Sequence, residues 1–492
     1  MGVELGYVEP KLLADPDTLL GMLERGRGAG YLLAVETIPT TVWPLLIECI
    51  TNDPRLDRQV EVRADYYASL ILETQMDLTP LDDYLRHYDG PGDMYWKVIL
   101  TIETLFSLAC RLDRKALHIL QEYISYGYYW QDAVRYLWFC QVDGALDDVD
   151  RRMLNRLSQD QAFREDFETS IFDDLQMYCR SDEELDVGPL LPVCEPWKSL
   201  CQKNERLAKA FHQFCPLDAI QPSARKKRKT FTDLTELSIR ELFSMMDRPD
   251  KPPFYKAAQA LEQKVSLVDE DLLLKNLSNE NDYKAMLALK GLGILGTPRA
   301  FEGVKSIIEF TKEPHSRIRA RAFDAIAQMP ASLSLETGRK WFQQDEWPLQ
   351  VAGGAILENH ATSEDIPLLV NVLKNPKTIQ CKDFRLSSAL EAFWRFDSIG
   401  HIPEIENVFV VVPHSYQRWR AACAMATTAP DVFQTNYAYE CLWDCHNDTR
   451  ICGCENVSLS QPDVLARLNE ISEDSNEDDE VREAAKLAID EF

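Results

Sequence analysis

One position recurs along the second half of the chain at a nearly constant period, and this period constrains the fold more than any other feature. The two clearest copies read I-R-x-x-A-x-x-A-I at 318–326 and V-R-x-x-A-x-x-A-I at 481–489. Weaker copies keep a polar residue after an apolar or aromatic one, with small residues one turn later. The second residue of each copy, the polar or basic one, marks its place in the chain. These residues lie 30 to 35 positions apart, and they are Lys284, Arg319, Gln350, Arg385, Arg420, Arg450 and Arg482, with Lys256 as a further candidate.

A pair of helices explains a period of this length. Two helices of about 12 residues with two short loops take up about that much chain. The small residues let neighbouring helices approach closely. In four copies an acid stands two residues before the basic one, where it can cap the helix or favour its positive N-terminal end: Asp282, Asp383, Asp448 and Glu480. We expect the basic residue to pair with an acid of the next repeat. The best strand-like run, 406–413, is too isolated for a sheet.

The pattern over 255–492 resembles the HEAT repeat in its short, phycobilin-lyase-like form of about thirty residues. The first part of the chain has a fainter echo, in which Arg63, Lys97 and Arg135 follow apolar or aromatic residues. We interpret residues 1–180 as divergent HEAT-like helical pairs, with an unrelated helical domain as the alternative. The resemblance implies an all-α chain, an α-solenoid of helical-hairpin repeats in two arms.

Charge divides the chain into three predicted parts. The chain carries 53 Lys and Arg against 80 Asp and Glu, a net charge of −27. Residues 1–180 and 236–492 each carry −14, while residues 181–235 carry +1 and contain Pro-flanked polar sequence. We predict a divergent helical domain at 1–180, a linker or insertion at 181–235 and a HEAT-repeat array at 236–492. The acidic balance disfavours a nucleic acid as the main ligand.

The compartment is predicted from segments that the sequence lacks. The N-terminus has no basic region followed by an apolar run, and no stretch of about 18 apolar residues is present. The 13 cysteines are scattered and odd in number, which is typical of reduced thiols. These features predict a cytoplasmic protein without a membrane span.

The sequence contains no familiar catalytic arrangement. Phosphate-loop, H-E-x-x-H and G-x-S-x-G motifs are absent, and GLGILG at 291–296 lacks the preceding strand of a dinucleotide site. None of the eight histidines is followed by Glu, which argues against the iron-dependent deoxyhypusine hydroxylases among HEAT-repeat enzymes. Bilin lyases with this repeat type stay an open alternative. We expect no cofactor.

A cysteine cluster is the sharpest candidate metal site. Cys441 and Cys445 are spaced to share a helix face, and Cys452 follows. The spacing matches no recognised zinc signature, and buried cysteine is a common core residue. Core packing is therefore the favoured interpretation, and we assign no metal.

Two segments are candidate partner-binding sites. The first is the basic run Arg225, Lys226, Lys227, Arg228 and Lys229, whose alternatives are a solvated loop and an import signal. The second is the aromatic-rich segment 123–139, which has too many rings for one helix face. Some of its rings are expected at the surface as interface anchors, with Tyr126, Tyr128, Tyr129 and Trp130 as candidates.

These features together favour an interaction protein over an enzyme. A solenoid presents a long surface of many side chains, and an acidic one favours a basic protein partner with salt-sensitive association. We therefore predict a non-catalytic adaptor or scaffold, in a sharper version an immunity or inhibitor protein for a basic toxin or effector. The alternative is a HEAT-type lyase or chaperone-like enzyme that acts on a prosthetic group or a protein substrate.

Overall fold

The structure is a computed structural model, and all of its regular elements are helices. It describes residues 13–159 and 234–490, apart from residues 59, 91–94, 141, 143, 147, 249–251, 279, 311–316, 375–383 and 461. Over these residues there are α-helices, three short 3₁₀ turns and no β-strand. The all-α prediction is confirmed. The run 406–413, the best strand candidate, is mostly helical, because it continues a helix that starts at Pro403.

Contacts divide the chain into two compact units. Unit 1 comprises residues 1–227, 413–416 and 434–492, and unit 2 comprises residues 228–412 and 417–433. Unit 1 therefore joins the first and last parts of the chain. Most of the predicted linker at 181–235 lies outside the described residues, so the sequence-based division into three parts stays a prediction.

The first part of unit 1 contains nine helices among the described residues. They are α1 (Leu19–Arg25), α2 (Gly28–Glu36), α3 (Pro39–Thr51), α4 (Ala64–Thr74), α5 (Thr79–Tyr88), α6 (Tyr95–Cys110), α7 (Arg114–Tyr123), α8 (Trp130–Phe139) and α9 (Val149–Gln159). Local chemistry sets several ends: Thr18 caps α1 through its hydroxyl, and Gly26 ends that helix in the left-handed conformation. Helix α4 packs against α2, α3 and α6, and α6 packs against α7 and α8. Their apolar faces form one core that also contains Cys445.

Unit 2 and the last part of unit 1 continue the helical series. The helices are α10 (Ile239–Met245), α11 (Phe254–Glu262), α12 (Glu270–Asn276), α13 (Asp282–Leu295), α14 (Pro298–Phe310), α15 (Arg317–Ala327), α16 (Ala331–Phe342), α17 (Trp347–His360), α18 (Ile366–Leu373), α19 (Phe384–Phe393), α20 (Pro403–Val411), α21 (Ser415–Thr428), α22 (Pro430–Asn436), α23 (Ala438–Cys441), α24 (Asn447–Asn456), α25 (Pro462–Glu473) and α26 (Asp479–Asp490).

Unit 2 is a stack of helical hairpins. Helices α11, α13, α15, α17 and α19 each contact the next in the series, and α12, α14, α16 and α18 pair with them. Each repeat therefore contacts its neighbours, which is the construction of an α-solenoid. The HEAT-like α-solenoid prediction is confirmed at this level, whereas the number of arms stays a prediction.

The period measured in the sequence is the spacing of every second helix from α11 to α21, and it continues at α24 and α26. The recurring position falls in the first two turns of α11, α13, α15, α17, α19, α21, α24 and α26. Small residues also lie where helices approach closely. A Cβ atom on Gly353 of α17 would stand 2.5 Å from the backbone nitrogen of Phe342 in α16. The alanine and glycine positions of the motif therefore determine how closely the helices pack.

The charged positions of the repeat behave in two ways. Arg450 pairs with Glu477 of the following repeat at 2.6 Å, as expected. Lys284 and Arg420 pair instead with Asp247 and Glu391, which precede them in the chain. Both arrangements link neighbouring helical pairs, so the motif alone does not determine the direction of pairing.

Candidate functional site

A groove in unit 1 brings charged, aromatic and apolar side chains together at one concave site. Its cavity of about 650 Å³ lies between α2, α4 and the segments 443–450 and 467–478. One wall therefore comes from the start of the chain and the other from its end. The first wall consists of Tyr31, Val35, Val62, Asp65, Tyr66, Ser69, Leu72, Glu73 and Arg111.

One face of α4 supplies most of the first wall. Its contributing residues, Asp65, Tyr66, Ser69, Leu72 and Glu73, recur at the three- and four-residue spacing that places side chains on one side of a helix. Tyr66 is buried and anchors this face by donating a 2.8 Å hydrogen bond to the Arg27 carbonyl. Asp65, Leu72 and Glu73 are exposed, so they face the open groove.

Aromatic stacking joins the two walls. The rings of Tyr31 in α2 and Trp443 are stacked with their centroids 4.7 Å apart. The Arg467 guanidinium lies 3.7 Å from the centroid of Trp443, in cation–π contact. Burial raises the pKa of Tyr31, and the nearby charge of Glu73 raises it further, so this phenol stays neutral. The aromatic cluster thus holds the groove in shape.

The groove carries an excess of negative charge. Seven carboxylates and three guanidinium groups line it. All three guanidinium groups are already paired: Arg111 with Asp474 at 3.0 Å, Arg450 with Glu477 at 2.6 Å and Arg467 with Glu470 at 3.3 Å. Among the described residues, Asp65, Glu73 and Asp478 form no ion pair. These three acids leave the groove able to accept cations.

A buried ion pair lies beneath the groove and connects its two walls. Arg63 is fully buried and donates a 2.8 Å hydrogen bond to Glu61 and a 2.9 Å hydrogen bond to the thiol of Cys445. Glu61 also accepts a hydrogen bond from the Ser415 amide at 3.1 Å. Burial acts to raise the pKa of Glu61, but the charges of Arg63 and His414 and the backbone donors outweigh it, so the pKa is lowered. Glu61 is therefore an anion inside the core.

Helix α2 meets the end of the chain equally closely. Arg27 pairs with Glu440 at 3.0 Å, and both side chains are largely buried. A Cβ atom on Gly28 would stand 1.7 Å from the Glu440 carbonyl oxygen, so this contact requires glycine. The Cys445 amide donates a 3.0 Å hydrogen bond to the Gly26 carbonyl. These contacts fix the position of α23 and the segment after it against α1 and α2.

The described residues of the predicted partner-binding sets do not line this groove. The basic run 225–229 lies outside the described residues. In the aromatic segment, Trp130 is fully buried, because its ring belongs to the core of unit 1. Tyr128 is 44% exposed, whereas Tyr126 and Tyr129 are partly buried and pack against that core. Tyr128 is thus the best-placed anchor of this set, and its binding role stays a prediction.

The cysteines of the predicted cluster lie in the interior. Cys441, Cys445 and Cys452 are all buried. Burial also raises the pKa of neighbouring Cys454 to about 12, so that thiol stays protonated. Within the ranges that the structure describes, no group of three or more His, Cys, Asp or Glu side chains is arranged to hold a metal ion. Cys445 has a contact that the sequence did not predict, the hydrogen bond from Arg63.

Comparisons with known proteins add little. No protein-family model matches the sequence, and no curated protein matches it. The chain is similar to an engineered protein from the Northeast Structural Genomics Consortium at 12% identity and a TM-score of 0.21, over 96% of this chain and 98% of the other. It is also similar to Kap121p, solved bound to Pho4p, at 13% identity and a TM-score of 0.32, over 98% of this chain and 57% of the other. Because these values are so low, the solenoid assignment depends on the contacts within unit 2.

No helix among the described residues is long and apolar enough to cross a membrane.

The groove is the site that sequence reasoning missed. Its residues come from two parts of the chain separated by several hundred positions, so no local sequence pattern contains both walls. The available signal lay between α1 and α2, where Gly26, Gly28 and Gly30 alternate with other residues.

Proposed function

We propose that this chain is a non-catalytic protein-interaction module, an adaptor or scaffold, whose unit 1 groove binds a basic segment of a protein partner. One observation carries the proposal: Asp65, Glu73 and Asp478 line a concave site without an ion-pair partner among the described residues. Exposed Val35, Val62 and Leu72 beside them add apolar surface. A groove of this kind suits a partner with cations and aliphatic side chains.

The finer features of the module belong to the same proposal. We infer a short HEAT repeat of the phycobilin-lyase-like type, a cytoplasmic location and, in the sharpest version, an immunity or inhibitor role toward a basic toxin or effector. The run Arg225–Lys229 is proposed as a second docking element, suited to an acidic partner. The acidic composition of the chain and the period of its repeats support these inferences.

The test compares two matched triple variants. The groove variant carries D65N, E73Q and D478N. The control variant carries E280Q, E309Q and D345N, three exposed acids of unit 2 without ion pairs among the described residues, so both variants lose the same charge. Each protein is incubated with lysate of the source cells at low and high salt. The recovered proteins are identified and their stoichiometry is measured.

We expect one stoichiometric, basic partner with the wild type and the control variant at low salt, and its loss at high salt. The groove variant is expected to bind it about tenfold or more weakly, because three favourable charge contacts are removed. Equal recovery by both variants would place the interface elsewhere. An absorbing prosthetic group recovered without a protein partner would favour the lyase alternative instead.

A further inference from the structure

The spacing of charges along α4 gives the groove a characteristic length. Asp65 and Glu73 lie on the same face and are eight residues apart. At 1.5 Å per residue, this separation is about 12 Å, slightly more than two helical turns. Leu72 lies next to the second acid, and Ser69 lies between the two. The wall therefore presents two anionic ends with a smaller, partly apolar stretch between them.

The opposite wall limits what can bind. Its guanidinium groups, Arg450 and Arg467, neutralise Glu477 and Glu470, and Arg111 of the first wall neutralises Asp474. Cations of a bound segment are therefore attracted more strongly to α4, where Asp65 and Glu73 form no ion pair among the described residues, than to this largely neutralised wall. The occupant therefore needs cations on the side that meets α4 and neutral or apolar groups on the other side.

We propose that the groove binds an amphipathic basic helix of a protein partner, with two Lys or Arg side chains two turns apart and an aliphatic side chain between them. This inference rests on the proposed function and specifies its partner. Cations at positions i and i+7 of a helix are about 10.5 Å apart on one face, which matches the spacing of Asp65 and Glu73. The aliphatic side chain would contact Leu72 and Val35.

A helix fits this surface better than an extended segment does. An extended peptide gains affinity by adding to the edge of a sheet, and the described part of unit 1 contains no strand to offer one. The face of α4 instead offers ridges at helical spacing, into which a second helix packs at an interaxial distance of about 8–10 Å. The backbone hydrogen bonds of the partner helix are made within the helix itself, so only its side chains contact the groove.

The test uses three synthetic peptides of identical composition, each of about 18 residues so that a helix can form. The first carries two lysines seven residues apart with a leucine between them. The second places the lysines two residues apart, on opposite faces of a helix. All three peptides contain alanines and one proline, which stands at the end of the first two. The third keeps the lysine spacing of the first but has this proline at its centre, in exchange for an alanine, to prevent a helix. Affinities are measured by calorimetry at low salt for the full chain, its D65N/E73Q variant and an E280Q/E309Q control.

We expect the first peptide to bind the full chain and the control about tenfold more tightly than the second. D65N/E73Q should remove this difference, because the two anionic ends are gone. Equal binding of the first two peptides would overturn the helix proposal and leave a charge-only basic interface, consistent with the proposed function. Tighter binding of the proline peptide would also overturn it, in favour of an extended segment. If no peptide binds but the lysate experiment still recovers a partner that depends on the groove acids, the helix proposal is wrong and the proposed function stands. If the lysate experiment recovers no such partner either, the helix proposal and the proposed function are both wrong.

Discussion

The two units use ion pairs over very different distances along the chain. In unit 2, Lys284, Arg339 and Arg420 pair with acids fewer than forty residues away, in adjoining helical pairs. In unit 1, Arg27 pairs with Glu440 and Arg111 with Asp474, so residues near the start of the chain are joined to residues near its end. One unit is stabilised repeat by repeat, whereas the other is closed across almost the whole sequence.

This difference affects how a binding site forms. A repeat array distributes its stability over similar neighbouring interfaces, and its binding surface extends over many repeats. Unit 1 brings two unrelated helical surfaces together, and the groove is the space left between them. The groove should therefore depend on the closing contacts, whereas the repeats of unit 2 should tolerate the loss of any one of their ion pairs.

The largest effect is expected for Arg63→Met. This change removes the main countercharge of a buried anion and leaves Glu61 with its backbone donors and the nearby charge of His414. Removal of one partner of a buried ion pair typically costs about 3–5 kcal/mol. Hydrogen–deuterium exchange should show α4 and α24 losing protection while α17 keeps its own. Binding of the first peptide, whose lysines are seven residues apart, should fall in parallel. Unchanged protection in α4 would contradict the view that this pair holds unit 1 closed.

The double variant Arg63→Met/Glu61→Gln serves as the control for that prediction. It removes both charges and should recover part of the lost protection, since no uncompensated charge remains in the core. The pKa of Glu61 is lowered on folding, so its contribution is present above the unfolded value near 4.5 and is lost as the pH falls through the lower folded value. Wild-type unit 1 should consequently lose more stability in acid than the double variant.

An intermediate effect is expected from two alanine substitutions that compare the units directly. Gly28→Ala places a Cβ atom against the Glu440 carbonyl oxygen and should separate α2 from α23. Gly353→Ala crowds the Phe342 backbone in unit 2. Overpacking of this kind costs about 1–3 kcal/mol. Calorimetry should show peptide binding weakened about tenfold by Gly28→Ala and unchanged by Gly353→Ala; equal binding by the two variants would show that the groove is independent of this contact.

The sequence predicted unit 2 better than unit 1 for a physical reason. In unit 2 the helices that pack together are neighbours in the chain, so the period, the small residues at positions such as Gly353 and the ion pairs are all local. In unit 1 the partner of Gly28 is Glu440, and the glycines around Gly28 indicate a close approach without indicating its partner. The aromatic segment shows the same limit, because composition alone did not separate buried Trp130 from exposed Tyr128.

The smallest effect is expected within α16, where two neighbouring cations differ in surroundings. Arg339 pairs with the buried carboxylate of Asp365 at 2.6 Å, whereas Lys340 pairs with exposed Glu336 at 3.3 Å. Arg339→Ala should cost about 1.5 kcal/mol, because it leaves a buried acid with only its contacts to Thr362. Lys340→Ala should change stability by less than about 0.5 kcal/mol. Hydrogen–deuterium exchange of α16 and α18 measures both. If Arg339→Ala also weakened peptide binding in unit 1, the effect of this ion pair would not be confined to unit 2.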